Sequence, residues 1–197
     1  MSDDPTPFWE RPDKALDEYA EALGKVAHAW NTLQLHLGAL FVALIPSAQG
    51  DILAAVWHSQ QSDRSQRRMI RAAIAAGALN AKAIADETRM NWIGDIEWLI
   101  NNADSLGSQR DAAIHAPAMI NKISDEHFEV RSAYYLGNIL AERLKNKSLA
   151  KEFHALSFKT EQLYLYANKI TNSVRNHEFN TWPDKRPSLS PPPRRGQ

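Results

Sequence analysis

DKALDEYAEALGKVAHAWNTLQLHLGALFVALI, residues 13–45, carries Leu16, Tyr19, Leu23, Val26, Trp30, Leu33, Leu37, Leu40, Phe41 and Leu44 at spacings of three or four. That period places them on one face of an α-helix, and Pro46 ends the run. The apolar stretch Leu37–Ile45 is about half the ~20 residues that span a bilayer. A long amphipathic helix that must bury one face predicts a mainly helical domain with helical partners.

Those partners follow in order. A short helix is predicted from about Asp51 to His58, and another from Ser62, with Met69, Ile70, Ala73 and Ile74 as its apolar side. Gly77 and Asn80 permit a break. From about Lys82 to Ser105 the pattern Ile84, Trp92, Ile93, Ile96, Leu99 and Ile100 returns to helical spacing. Leu106-Gly107-Ser108 is expected to interrupt it, with Ser108 and Asp111 capping a new short helix that Pro117 curtails. In HFEVR, Phe128 and Val130 alternate with His127, Glu129 and Arg131, which predicts a strand paired in a hairpin with Met119–Ile123 through a turn at Ser124-Asp125. Helical spacing resumes at Leu136, Ile139, Leu140 and Leu144, and again at Leu163, Ala167, Ile170 and Val174.

With 197 residues and 44% hydrophobic content, the chain is long enough for one core. The expected organisation is a flexible segment 1–12, one helical domain 13–180, and a tail 181–197, WPDKRPSLSPPPRRGQ with its preceding threonine, too poor in apolar surface to order. The acidic, proline-broken N-terminus lacks the chemistry of a signal peptide, so a cytoplasmic protein without membrane association is expected. Lys plus Arg and Asp plus Glu balance at 23 each, so any anionic partner must be held by a local patch. The absence of cysteine excludes thiol nucleophiles and Cys-based zinc sites. No phosphate-binding GxxxxGK[ST], GxGxxG or GxSxG motif is present, and His28, His36, His58, His127, His154 and His177 form no paired metal-ligand motif. Neither a metal nor a cofactor is expected. Trp30, Trp57, Trp92 and Trp98 fall in apolar helical patterns and read as core or dimer contacts before base-stacking platforms.

The residues with chemical potential are Arg110-Asp111-Ala112-Ala113-Ile114-His115. Arginine offers a planar fork of donors for phosphate oxygens, and histidine exchanges protons near neutral pH. Together they suit cleavage of RNA by attack of a ribose 2′-hydroxyl on the adjacent phosphorus. His115 would be general base or acid, Arg110 would stabilise the oxyanions, and Asp111 would orient Arg110 or the nearby backbone. A helix starting near Ser108 would add backbone N–H groups for a phosphate. Five residues turn about 500°, or ~140° net, so the pair does not stack on one helix face. The competing reading is a surface Arg paired with a carboxylate and a His packed at a bend. A second feature, Arg64, Arg67, Arg68 and Arg71, lies within a ~100° stripe, suited either to an RNA backbone or to carboxylates of neighbouring helices.

Arg110-Asp111 followed by His115, after a long early helix with the aromatic landmark AHAWNTLQLHLGALF, resembles the HEPN superfamily of helical domains. Its ribonuclease members carry an Arg, usually followed by Asn or Asp, and a His four to six residues further on. The resemblance covers roughly residues 13–178. It departs at Ala116-Pro117, where a glycine is often seen, and at Asp111 in place of the commoner asparagine. It implies an antiparallel helical bundle, a homodimer that brings two Arg/His motifs to one cleft, and a metal-independent endoribonuclease of a toxin or defence system, with an antitoxin or other protein partner. The alternative it leaves open is a non-catalytic helical dimer that binds RNA or a protein.

Overall fold

The computed structural model describes residues 11–79, 86–124, 127–133, 139–176 and 179–190. The protein is mainly helical with one small antiparallel sheet. In chain order the elements are α1 (Arg11–Leu44), α2 (Gly50–His58), α3 (Asp63–Ala75), α4 (Asp86–Ile114), β1 (Ala118–Ser124), β2 (His127–Ser132) and α5 (Leu149–Asn176). Short 3-10 segments lie at Ile139–Leu144 and Phe179–Thr181. No described helix is long and apolar enough to cross a membrane.

The chain forms two compact units, one from the chain up to His28 with Leu106–Phe158, the other from Ala29–Ser105 with the chain from Lys159 onward. In the first, Ala15, Ala22 and Val26 of α1 are buried, together with Leu106, Ala112 and Ala113 of α4, Val130 of β2, and Leu149, Phe153 and Leu156 of α5. The buried seam of α1 therefore starts one residue away from the predicted one: Leu16 is exposed and Ala15 faces inward, with Tyr19 packed on Phe153 at a centroid distance of 5.6 Å. The hairpin pairs Met119 with Arg131, Ile120 with Val130 and Asn121 with Glu129, with an irregularity between Lys122 and Ser124. Asp125, half of the predicted turn, lies outside the described residues, as does Leu136. Where helical spacing was read at Ile139–Leu144 there is a 3-10 segment, which leads through a turn at Lys145–Lys147 into α5.

In the second unit Trp30, Leu33, Leu37, Leu40, Phe41 and Leu44 carry the buried face of α1 as predicted, joined by Trp57, Ile70, Trp92, Ile96, Leu99, Ile100, Leu163, Tyr166 and Ile170. Gly38 has a specific reason to be glycine. A Cβ there would stand 2.8 Å from Nε1 of Trp57, so only a bare backbone lets the fully buried indole lie against α1 and stack on Phe41. α3 opens as read from the sequence: the Ser62 side chain accepts from the Ser65 N–H at 3.1 Å.

One expectation fails outright. α4 runs for 29 residues through Leu106-Gly107-Ser108, and no helix begins at Ser108. A mid-helix glycine costs ~1 kcal/mol relative to alanine. Burial of Leu106, Ala112 and Ala113 on the continued helix face outweighs that penalty.

Candidate functional site

Asp111 opens the last turn of α4, Arg110 stands immediately before it, and His115 is the first residue beyond the helix. The His115 N–H still donates to the Asp111 carbonyl at 3.0 Å, closing the final turn, while its side chain is exposed. The Pro117 carbonyl then accepts from Ala133 at 2.7 Å, so the chain leaves the helix directly into the hairpin. The Arg110 guanidinium is held by Asp111, which accepts at Oδ1 from Nη2 at 2.6 Å and from Nε at 3.0 Å. These two bonds tie the guanidinium to the neighbouring carboxylate.

The polarity of the helix end is opposite to the expected one. With no N-terminus at Ser108, the motif sits at the C-terminal, electronegative end of the α4 dipole, where carbonyls rather than N–H groups lack intrahelical partners. Backbone amides at a helix start therefore give no help to a phosphate here. Any positive charge must come from side chains.

The arginine stripe of α3 divides. Arg64 and Arg68 are exposed. Arg67 is only 4% exposed; its Nε donates to Asp104 Oδ1 at 2.7 Å, and its guanidinium carbon lies 5.7 Å from the centre of the Trp30 ring. Arg71 reaches Glu97 at 3.2 Å, Asn101 at 2.8 Å and Asp104 at 3.0 Å. Burial raises the Asp104 pKa, but hydrogen bonds and charge from Arg67 and Arg71 outweigh that and hold it below its usual value. Trp30, for its part, donates from Nε1 to Asp63 at 2.7 Å. Two of the four arginines thus fix α3 to α4.

Sequence reasoning missed the most heavily built polar cluster. Glu129 is 7% exposed, and its carboxylate accepts from Lys151 at 2.6 Å, from Arg131 at 2.9 Å and from His127 at 3.2 Å when that ring nitrogen carries the proton. The alternation in HFEVR placed all three β2 residues on a polar face, but nothing local signalled that Lys151, on another element, closes over it. A cavity of ≈140 Å³ beside the cluster is also lined by Glu18, Glu21 and His154. The hydrogen bond from Lys151 leads the effects that pull the Glu129 pKa from 4.5 down to about 2, against the opposing effect of burial and with help from His127 and Arg131. The folded state therefore favours the carboxylate more than the unfolded chain does. That stabilisation, up to ~3 kcal/mol, is complete above the unfolded value and disappears as pH falls from about 4.5 toward 2. Denaturant unfolding of wild type and Glu129→Gln should show a stability gap at about pH 6 that closes toward about pH 2. Parallel profiles would remove Glu129 as the source.

The segment expected to be disordered from residue 181 is not so in its first part. Trp182 stacks on Trp92 at 4.8 Å and donates to Asp95 at 2.9 Å; Arg186 donates to the same carboxylate at 2.8 Å and covers Trp98 at 5.7 Å. Trp98 also meets Tyr166 edge-on, and burial, then the Asp95 charge, pushes the Tyr166 hydroxyl up to about 12. One tryptophan and one arginine of the segment supply the contact that composition hid. Residues 191–197 lie outside the described residues. Trp30, Trp57, Trp92 and Trp98 are thus engaged in packing, and among the described residues no group of three or more His, Cys, Asp or Glu is placed to hold a metal ion.

Comparison of the chain with protein-family models, with curated proteins and with solved structures yields no match.

Proposed function

We propose that this chain is an HEPN-like, metal-independent endoribonuclease that acts in the cytoplasm as a homodimer, in a toxin or defence setting. The observation that carries the reading is the end of α4: an Arg110 guanidinium anchored by Asp111 at 2.6 Å, with an exposed imidazole, His115, immediately after the last turn. His115 takes the proton from the attacking 2′-hydroxyl or returns one to the leaving 5′-oxygen, and Arg110 stabilises the pentacoordinate phosphorus. The ~140° between their helix positions calls for a second copy that contributes its own motif to the cleft. The test is incubation of the wild-type protein with mixed RNA in EDTA. The expected result is cleavage leaving 2′,3′-cyclic phosphate ends; loss of cleavage on chelation would reject the mechanism.

A second reading, a non-catalytic helical dimer that binds RNA or a protein partner, draws on the exposed Arg64 and Arg68 of α3. It takes over if the wild type binds RNA without cleaving it and Arg64→Glu with Arg68→Glu weakens that binding.

A further inference from the structure

We propose that Arg143, at the end of the 3-10 segment, with Lys145 and Lys147 of the turn that leads from it into α5, forms a phosphate-contact surface along which a single-stranded RNA backbone continues away from Arg110 and His115. The choice of RNA as the partner rests on the ribonuclease reading; the surface itself rests on three observations.

The first is position. Arg143 Nη2 donates to the Ser108 carbonyl at 3.2 Å, two residues before Arg110 on α4. Arg143 and Lys147 line a cavity of ≈90 Å³ whose other walls include Gln109 and Ala113 of α4 and Glu152 and Leu156 of α5. The turn therefore flanks the helix end that carries the motif.

The second is charge. The six residues Arg143-Leu144-Lys145-Asn146-Lys147-Ser148 hold three cations and no carboxylate in a chain whose net charge is zero. All three side chains are exposed. Lys147 pairs with Glu152 at a long 3.5 Å, and Lys147 is exposed with Glu152 half-buried, so the pair is weak and a phosphate can replace the carboxylate. Where the α4 dipole offers an anion nothing, this turn supplies the missing positive charge.

The third is preorganisation. Leu144 and Leu149 are buried on either side of the turn. Within it, Lys145 and Lys147 donate backbone N–H groups to Glu142 and Leu144 at 3.1 and 2.9 Å, and Asn146 takes the left-handed conformation at φ 61°. Single bridges tie Ser132 to Lys145 and Arg131 to Ser148. Three cations are thus held on a fixed backbone, which lowers the ordering penalty of binding. The stretch has no aromatic side chain to stack on a base, so its contacts are with phosphate and independent of sequence.

The experiment measures equilibrium binding of the full-length chain, carrying His115→Ala to prevent cleavage, to a labelled single-stranded RNA of mixed sequence over a range of salt. Adding Lys145→Gln and Lys147→Gln should weaken binding ~10-fold and lower the slope of log affinity against log salt by about 1.4, the release expected from two phosphate contacts. Arg143 is left in place because it also anchors the turn to Ser108. Unchanged affinity and slope in the folded lysine variant overturn the proposal, as does binding of anionic lipid vesicles in preference to RNA. If wild type fails to cleave but the lysine variant loses RNA, the surface stands and the ribonuclease reading falls. If cleavage proceeds and the variant binds RNA like its parent, the reverse holds.

Discussion

Replacing His115 by alanine is expected to slow RNA cleavage in EDTA by roughly 10²- to 10⁴-fold, the range that a positioned general acid or base supplies. The protein should stay folded, because the imidazole is exposed and the bond closing the last turn of α4 uses the backbone N–H of residue 115, which alanine keeps. Arg110→Ala should be at least as damaging. At this end of α4 no helix-start amides face a phosphate, so in the proposed reaction the guanidinium would carry the transition-state charge with little support. Arg110→Lys should recover only part of the loss, because an ammonium keeps the charge but not the planar fork that Asp111 orients. Single-turnover rates on one RNA substrate, with circular dichroism to confirm folding, decide the matter. A His115→Ala protein as fast as wild type would leave the imidazole without a chemical role.

Asp104→Ala is expected to lower stability by ~3–5 kcal/mol, a large share of what a domain of this size has. The reason lies with its partner. Arg67 is 4% exposed, Asp104 is its ion-pair partner at 2.7 Å, and its buried Nη1 has no hydrogen-bond partner even in the intact protein. Removing the carboxylate strands a permanent cation against the Trp30 ring, whose attraction is worth ~2 kcal/mol at best. Arg71 would lose one of three partners but keep Glu97 and Asn101. The double variant Arg67→Met with Asp104→Leu should return most of the loss, since a buried ion pair can often be replaced by apolar groups at little net change. Urea unfolding of the two single variants and the double variant tests this. A loss below ~1 kcal/mol for Asp104→Ala would mean that water reaches Arg67 readily.

The helices were legible where one period ran without competition. Trp30 to Leu44 repeats at helical spacing and is buried as the spacing requires, and the helix start near Ser62 was placed correctly. The hairpin was legible from the alternation in HFEVR. The failures share a cause: they turn on contacts between residues far apart in sequence. Gly107 looked like a stop because local propensity said so, while burial of Leu106 and Ala113 carried α4 onward. The candidate pair was found by residue type and spacing, and its true setting, the end of one long helix instead of the start of a short one, reverses the backbone contribution. Arg67 and Arg71 looked like part of a uniform stripe because the sequence did not show that Asp104, Glu97 and Asn101 stand opposite them. Glu129 passed unnoticed for the same reason: Lys151 is 22 residues away.

The segment around Trp182 shows how a composition can point both ways. Pro183 and Pro187 bracket the residues that bring Arg186 to Asp95. Their rings restrict the chain before it docks as much as after, so little freedom remains to be surrendered when Trp182 closes on Trp92. Proline content that reads as a reason not to fold is, for a short strap with two anchors, what makes its attachment to α4 thermodynamically cheap.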